Sequence, residues 1–269
     1  MRPKDLACLL DKVISHIHKI ESKDCGLKSL EIAFYNFYLS NRSLLTHGCQ
    51  HSQLAQDLWV AFLLNCWNSS SPTSKSGYFV EFGAIDGVLY SNSILFEKRF
   101  GWKGILAEPN PNEWLKCKQN RSCVVENYCV WNVSNESVRF NVVPNAPDHG
   151  CMEHFEENDS HKAIRLLKKE VIICRTISLF DLLQLYAAPK TIDYLSVDTE
   201  GTEFPILEAF PFEQYAFKII SVEHNFTAMR GQLRHLLHNQ GYFPIERSVE
   251  SFDDLYLNSM YFSTDGRLK

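Results

Sequence analysis

The feature that most constrains the fold is a series of short apolar segments that alternate with amphipathic segments from residue 77 onwards. Two of them, IDYLSVD at Ile192–Asp198 and FKIISVE at Phe217–Glu223, are almost continuously apolar, as expected for strands covered on both faces. Strands that alternate with helices indicate βαβ units, so we predict an α/β fold with a mainly parallel sheet. The predicted strands are Tyr78–Phe82, Gly104–Ala107, Cys123–Val130, Val138–Val143, Val171–Thr176, Ile192–Val197 and Phe217–Val222.

The first 67 residues carry a helical pattern instead. Apolar residues recur at helical spacing over Leu6–Ile20, Leu30–Leu39 and Leu54–Trp67. The polar segment NSSSPTSKS that follows has the composition of a linker. An apolar helical stripe must be covered, so we expect the N-terminal helices to pack on the main domain or to form a homo-oligomer. The predicted divisions are a helical N-terminal region at 1–67, a linker at 68–76 and the main domain at 77–269.

Composition narrows the class of partner. The chain has 269 residues and a formal net charge of −5, whereas a nucleic-acid-binding face needs an excess of Lys and Arg, so we expect no nucleic-acid partner.

The longest apolar run, Leu58–Leu64, is far shorter than the roughly 20 residues that cross a bilayer, and Met1–Leu10 lacks the apolar core of a secretory signal. Nine irregularly spaced cysteines fit a reducing compartment, so we expect a cytoplasmic protein without a transmembrane segment.

A glycine turn follows the first predicted strand of the main domain. Tyr78–Phe82 leads directly into Gly83-Ala84-Ile85-Asp86-Gly87, and such a turn before a helix lets a ligand approach the backbone. The next strand ends in Glu108, at the place where an acid holds a ribose diol in doubly wound folds. The glycine spacing is G-x-x-x-G rather than G-x-G-x-x-G, which weakens the alternative of a dinucleotide site.

Four motifs occur in order along the main domain. They are VEFGAIDG at 80–87, GWKGILAEPNP at 101–111, IDYLSVDTEGTEFPIL at 192–207 and SVEHN at 221–225. With these motifs, residues 77–247 resemble the FkbM family of S-adenosylmethionine-dependent methyltransferases. The resemblance implies a Rossmann-like sheet of seven strands with the last strand antiparallel, preceded here by a helical appendage. It also implies methyl transfer from the sulfonium of S-adenosyl-L-methionine to an oxygen acceptor.

The resemblance further implies roles for individual residues. The residues assigned to the cofactor are Glu81, Gly83, Asp86 and Gly87 for its methionine part, Ser91 or Asn92 for its carboxylate, Glu108 for its ribose and Cys129 for its adenine. The family usually has Asn or another polar residue where this chain has Ile85.

Acidic residues also follow the two most apolar strands. Asp198 and Glu200 come after the first of these strands, and Glu223 and His224 end the second. Ligands bind at this edge of open α/β sheets, so we predict Asp198, Glu200 and His224 as catalytic residues. A hydroxyl acceptor must lose a proton, either to His224 as general base or with the help of Mg²⁺ held by Asp198 and Glu223, with His224 as a further candidate ligand. Glu203 lies in the first turn of the next predicted helix and can cap it.

Three classes of function are open at this point. The leading one is an O-methyltransferase that acts on a hydroxyl of a sugar, glycolipid or natural product. The second is an NAD-dependent oxidoreductase, and the third is a non-catalytic binding module with a vestigial cofactor pocket. The complete set of acids at the predicted strand ends argues against the third.

Two Cys/His clusters also occur, at His47–His51 and at His149–His154. Neither has the C-x-x-C spacing that is typical of zinc sites. The second cluster lies in Pro144–Ser160, a long stretch between predicted strands that is either a solvent-exposed loop or a lid over the acceptor.

Overall fold

A computed structural model describes residues 26–45, 51–144, 146–155, 169–245, 247 and 251–269. Its helices are α1 (Gly26–Leu45), α2 (Gln56–Leu63), α3 (Ile94–Phe100), α4 (Pro111–Asn120), α5 (Leu179–Leu185), α6 (Glu203–Glu208) and α7 (Met229–Asn239). Its strands are β1 (Tyr78–Phe82), β2 (Lys103–Ala107), β3 (Val124–Glu126), β4 (Cys129–Trp131), β5 (Ser137–Val142), β6 (Cys151–Met152), β7 (Glu170–Ser178), β8 (Thr191–Val197), β9 (Ala216–Glu223), β10 (Tyr242–Pro244) and β11 (Asp253–Asn258). None of these helices combines the length and the apolar character that spanning a bilayer requires.

The main sheet has seven strands in the order β10-β11-β9-β8-β1-β2-β3. Strand β11 pairs antiparallel with β9 and with β10, and all other neighbours pair parallel. The chain leaves β1 toward β2 on one side and returns to β8 on the other, so a crevice opens beside the carboxyl ends of β1 and β8. The predicted α/β fold, with seven strands and an antiparallel last strand, is therefore confirmed.

Two of the predicted strands lie in a second sheet. β5 and β7 pair antiparallel, and together with β4 and β6 they form a four-stranded sheet in the order β4-β7-β5-β6. The predicted strand Cys123–Val130 is divided between the sheets, because it breaks at Asn127 and Tyr128. The Asn127 amide donates hydrogen bonds of 2.8 and 3.0 Å to the carbonyls of Glu108 and Pro109, which fixes the break. Apolar runs thus predict the strands but not the sheet that each one joins.

The main sheet is buried on both faces, as its continuously apolar strands predict. On one face, Phe79 and Tyr194 belong to a hydrophobic cluster with residues of α1 to α4. On the other face, Val80, Leu195 and Ile220 belong to a cluster with residues of α5, α6 and α7. A fully buried side chain of this size stabilises the fold by roughly 1.5–3 kcal/mol, so the two clusters rigidly support the strand ends.

Helices α1 and α2 share the first of these clusters with the sheet. Phe34 of α1 stacks on Trp59 of α2 with ring centroids 3.8 Å apart. Trp67, just beyond α2, contacts Phe100 of α3 edge to face at 5.1 Å. The N-terminal helices therefore contribute to the core that carries the sheet.

The segment predicted as a linker is also fixed to the main domain. The indole of Trp102 donates a hydrogen bond of 2.8 Å to the carbonyl of Thr73, whose side chain is buried. The division of the chain at residues 67 and 77 stays a prediction about independent folding, and so does a homo-oligomer. The predicted helix at Leu6–Ile20 and most of the cluster His47–His51 lie outside the described residues.

The packing of α2 gives a test of that division. We expect Trp59→Ala to lower the free energy of unfolding of the whole protein by about 3–5 kcal/mol, because it empties a site that is 4% exposed. Leu39→Ala on α1, where the side chain is 44% exposed, is the control, with a change within about 0.5 kcal/mol. Urea unfolding followed by circular dichroism measures both. If the urea midpoints of the two variants are equal, the N-terminal helices fold independently of the main sheet.

Candidate functional site

A cavity of about 250 Å³ lies at the carboxyl ends of the central strands. Phe82, Ala107 and Glu223, the last residues of β1, β2 and β9, line it, as does Asp198, which directly follows β8. This is the place where the strand order reverses, and open α/β sheets bind their ligands there.

Strained backbone is concentrated around this cavity. Of the nine described non-glycine residues with positive φ, five line it. They are Ile85 (φ 49°), Tyr90 (58°), Glu200 (56°), Asn225 (44°) and Phe226 (57°). Such conformations cost of order 1–3 kcal/mol each and cluster at functional sites. The strain is greatest at Ile85, because a β-branched residue occupies a conformation that Asn tolerates well.

Gly83 and Gly87 shape the turn after β1 in different ways. Gly83 has a φ of 72°, and a Cβ there would lie 1.9 Å from the carbonyl oxygen of Asp198, so only glycine lets β1 and β8 approach so closely. Gly87 has a φ of 79°, and a Cβ there would lie 2.7 Å from Arg121 Cγ and 2.8 Å from Cys117 Sγ. Gly83 lines the cavity, whereas Gly87 packs behind the loop.

Glu81 is the centre of a buried network behind the same loop. Its carboxylate accepts hydrogen bonds from Ser91 Oγ at 3.0 Å, from the Asn92 backbone N–H at 2.7 Å and from Ser93 Oγ. The Arg121 guanidinium donates to Ser91 Oγ at 3.1 Å and lies 3.8 Å from Glu81. Glu81 and Asn92 line the cavity, whereas Ser91 is not among its lining residues. No motif of the sequence pointed to Arg121.

The other polar residues of the loop also differ in whether they line the cavity. Asp86 accepts hydrogen bonds from the backbone N–H groups of Val88 and Leu89 at 2.9 and 2.7 Å, so it braces the loop and is not among the lining residues. Asn92 donates to Ser196 Oγ at 3.0 Å, and its buried carbonyl oxygen has no partner among the described residues. That oxygen can accept a hydrogen bond from a ligand in the cavity.

Glu108, which directly follows β2, and Cys129, the first residue of β4, line the cavity as well. The Glu108 carboxyl accepts hydrogen bonds of 2.8 Å from the backbone N–H groups of Ile85 and Asn110, one on each oxygen. Burial raises the pKa of Glu108 to about 8, although these two N–H groups act in the opposite direction. Burial also raises the pKa of the Cys129 thiol, which is therefore an uncharged part of the wall.

Three carboxylates meet at the ends of β8 and β9. Asp198, Glu200 and Glu223 each offer one oxygen, and these oxygens lie within 4.8 Å of one another. Asp198 and Glu223 share a hydrogen bond, and burial, followed by the charges of the neighbouring acids, raises the pKa of both. Glu223 Oε2 is buried and has no partner among the described residues. This group can therefore hold a proton or a cation.

Glu203 has a separate role in the same loop. Its carboxylate accepts hydrogen bonds from the backbone N–H of Thr199 at 2.7 Å and of Gly201 at 3.0 Å. These contacts fix the turn that leads from β8 into α6, in keeping with a capping role.

His224 is not among the residues that line this cavity, although it lines a neighbouring one. Its Nδ1 accepts a hydrogen bond of 3.1 Å from the backbone N–H of Phe226, and its Nε2 lies 3.6 Å from Asp254 Oδ1. Asp254 in turn accepts hydrogen bonds from Arg230 and Arg234. Both ring nitrogens of His224 thus face protein groups. The structure does not bring this residue together with Asp198 and Glu200, and its predicted catalytic role stays a prediction.

Asp and Glu side chains make up much of the polar lining of the cavity. The carboxylates that line it are Glu81, Glu108, Asp148, Asp198, Glu200 and Glu223. No Lys or Arg occurs among its described lining residues, although His149 does. Asp148 and His149 come from the connection between β5 and β6, within the stretch Pro144–Ser160 that the sequence leaves open as a loop or a lid.

The buried carboxyl of Glu108 predicts a pH dependence of stability. Its folded pKa of about 8 exceeds the ordinary 4.5, so its contribution is fully present below about pH 4.5 and is lost as the pH rises through about 8. We expect thermal stability without cofactor to fall across this window, and to fall less in Glu108→Gln. Thermal unfolding of both proteins across the window measures this. If thermal stability changes with pH in the same way in both proteins, Glu108 is ionised in the folded state.

Several solved structures resemble this chain in fold. Methyltransferase FkbM from Methylobacillus flagellatus has 11% sequence identity and a TM-score of 0.42, with 82% of this chain and 60% of that chain covered. The N-terminal domain of human METTL16 has 13% identity and a TM-score of 0.41, with 74% and 67% covered. A TehB-like SAM-dependent methyltransferase from Corynebacterium glutamicum has 9% identity and a TM-score of 0.37, with 85% and 99% covered. No curated protein matches the chain.

A family model gives a firmer result than these structures. The methyltransferase FkbM domain matches residues 81–244, which is more than half of the chain. The matched region runs from the end of β1 to β10 and contains nearly all the residues of the cavity. The chain therefore belongs to the FkbM methyltransferase family.

Proposed function

We propose that the protein is an S-adenosylmethionine-dependent O-methyltransferase. The observation that carries this proposal is the lining of the cavity, which has six Asp and Glu side chains and no Lys or Arg among the described lining residues. S-adenosylmethionine carries a positive sulfonium and a positive ammonium group, which carboxylates attract. The diphosphate of NAD needs donors or positive charge instead. The acidic wall therefore favours the methyltransferase over the NAD-dependent oxidoreductase.

The residues around the cavity fit the parts of this cofactor. In the proposal, Glu108 accepts hydrogen bonds from the ribose hydroxyls, and Cys129 contacts the adenine. Glu81 and the unpartnered oxygen of Asn92 face the ammonium group of the methionine part. The other predicted residues of the loop, Asp86, Gly87 and Ser91, act by fixing its shape rather than by touching the cofactor.

The acceptor in this proposal is a neutral hydroxyl, as in a sugar, glycolipid or natural product. The cofactor supplies an electrophilic methyl group, and the protein must orient the hydroxyl in line with it and take up its proton. Asp198 and Glu200 lie at the end of β8, beside the turn that would hold the methionine part. They are proposed to accept a hydrogen bond from the hydroxyl and so to position it. An anionic acceptor, nucleic acid included, would be repelled by these groups.

A divalent cation is a second candidate for activating the hydroxyl. Asp198, Glu200 and Glu223 would hold it, because their oxygens lie within 4.8 Å of one another and Mg²⁺ takes oxygen ligands. Bound there, the ion would favour ionisation of the hydroxyl. This set contains the two ligands predicted from the sequence and adds Glu200.

Cysteine chemistry supports a cytoplasmic location in this proposal. Six described cysteines are free thiols, and five of them are buried. Reduced thiols of this number are typical of a reducing compartment.

Calorimetry with S-adenosylhomocysteine and with NAD tests the proposed cofactor. We expect S-adenosylhomocysteine to bind with micromolar affinity and NAD not to bind. Glu108→Ala should weaken binding by about 1.5–3 kcal/mol, roughly 10- to 100-fold, because it removes the hydrogen bonds proposed between Glu108 and the ribose hydroxyls. Glu208→Ala, an exposed acid at the end of α6, is the control and should bind as the unaltered protein does. Binding of NAD in place of S-adenosylhomocysteine would refute the proposal.

Chelation separates the two ways of activating the acceptor. We expect turnover to persist in EDTA, because the shared proton and the positive cofactor together offset the charge of Asp198 and Glu223. Asp198→Asn should lower kcat by about 100-fold or more, since it removes an oriented acceptor group, and should change cofactor affinity less. Loss of turnover in EDTA and its recovery with Mg²⁺ would establish the cation site instead.

A further inference from the structure

A second cavity adjoins the first one at the end of β9. It has a volume of about 340 Å³ and lies between α6, the start of α7 and the turn that follows β6. Glu223, the last residue of β9, and Asn225 line both cavities. Glu223 also belongs to the group of three acids at the strand ends. A molecule in the second cavity would therefore reach the acids of the first.

The backbone of the wall between the two cavities is strained. Asn225 and Phe226 follow each other with φ values of 44° and 57°, in the left-handed region that non-glycine residues rarely adopt. The turn is closed at Thr227, whose backbone N–H and hydroxyl both donate to the carbonyl of His224 at 2.8 Å. Strain of this kind is concentrated at functional sites, so the shared wall is itself a candidate part of the site.

Four apolar side chains form one part of the lining of the second cavity. They are Phe155, Phe204, Pro205 and Met229, and each is only partly buried. An apolar group placed against them would remove their exposed surface from water, which favours its binding. The ring of Phe155 packs edge to face on Trp131 with centroids 5.5 Å apart, so this wall is already formed. Cavities of about 300–1,000 Å³ with apolar walls and a few polar groups are typical of small-molecule sites.

The polar groups of the second cavity suit an uncharged ligand that carries a hydroxyl. Glu223 Oε2 is buried and has no hydrogen-bond partner among the described residues. A carboxyl oxygen can form a hydrogen bond with a hydroxyl whether or not the carboxyl holds a proton. Glu203 and Glu223 line this cavity, and no Lys or Arg occurs among its described lining residues. An anion placed there would have no positive partner from these residues.

We propose that the second cavity binds the methyl acceptor, and that the acceptor is an uncharged alcohol with an apolar ring. This inference rests on the proposed function and narrows its class of acceptor. The ring lies against Phe155, Phe204 and Met229, and the hydroxyl lies at Glu223, beside Asp198. A sugar ring, which has a hydroxyl on nearly every carbon, would leave several of these groups without partners against the apolar wall.

Methionine methyl groups report on the two cavities separately. The chain has four methionines, of which Met152 lines the first cavity, Met229 lines the second and Met260 is 74% exposed. NMR of the full-length protein with ¹³C-labelled methionine methyl groups follows each signal, assigned with Met→Leu variants. We expect S-adenosylhomocysteine to shift the Met152 signal. Adding 2-phenylethanol to that complex should then shift Met229, through the ring current of its phenyl group, and leave Met260 unchanged.

Two matched probes test the class of acceptor. Phenylacetate keeps the phenyl ring but replaces the hydroxyl by a carboxylate, and methyl β-D-glucopyranoside keeps hydroxyls without an apolar ring. We expect both to bind at Met229 more weakly than 2-phenylethanol by about tenfold or more, because each would bury polar groups without partners. Binding of either probe as tight as that of 2-phenylethanol would contradict the proposed class.

A variant that fills the second cavity tests the position of the site. Ala228 lines this cavity, is exposed and precedes α7, so Ala228→Trp leaves the core intact. We expect it to weaken binding of 2-phenylethanol by about tenfold or more, because the added ring takes the place of the ligand. Affinity for S-adenosylhomocysteine should change by less than about twofold, since the first cavity is untouched. His238→Trp, at an exposed position of the same helix, is the matched control.

The outcomes separate this inference from the proposed function. If S-adenosylhomocysteine shifts Met152 but 2-phenylethanol leaves Met229 unchanged, the inference is wrong and the proposed function stands. The same holds if Ala228→Trp binds 2-phenylethanol as tightly as His238→Trp does. If S-adenosylhomocysteine neither binds in calorimetry nor shifts Met152, the proposed function fails, and the inference fails with it.

Discussion

The site depends on the hydrogen bonds and the ion pairs of one buried guanidinium. Arg121, whose side chain is fully buried, donates to the carbonyl of Gly87 at 3.0 Å, to Ser93 Oγ at 2.9 Å and to Glu97 at 2.9 Å. Burial raises the pKa of Glu97, but the Arg121 charge and the hydrogen bonds from Ser122, Cys123 and Arg121 together outweigh it and bring the pKa to about 2. The second acid, Glu81, faces the cavity from the same network. Because loss of one partner from a buried ion pair costs about 3–5 kcal/mol, the glycine turn has one stable shape.

Asp198 and Glu223 at the cavity differ from two buried acids of β11, which pair with arginines. Asp253 pairs with Arg247 at 2.8 Å, and Asp254 pairs with Arg230 at 2.7 Å. At the cavity, Asp198 and Glu223 have each other, and their raised pKa values show what this arrangement costs. A positively charged ligand would relieve that cost, and its binding would stabilise the folded protein.

Much of this could be predicted from the sequence, because the information was local. The strands, the glycine turn and the acids at strand ends are contiguous in the chain, and parallel strands bring their carboxyl ends to one edge. Asp198, Glu200 and Glu223 accordingly meet, and Glu81 and Glu108 line the same cavity.

What could not be predicted depends on contacts between distant segments. Arg121 lies at the end of α4 and reaches a loop about thirty residues earlier in the chain. The second sheet arises from the pairing of β5 with β7, and only that pairing carries His149 to the cavity. The orientation of His224 follows from Asp254 on β11, which no pattern near His224 reveals.

Two histidines near the strand-end acids lie in different surroundings. His224 directly follows Glu223, yet the backbone N–H of Phe226 on one side and Asp254 on the other occupy its ring. His149 lies outside the four motifs of the main domain, in the stretch Pro144–Ser160, and its Nδ1 is 4.0 Å from Glu200 Oε1 at the cavity wall. The chemistry of this site therefore depends on how the two sheets meet as much as on the strand-end motifs.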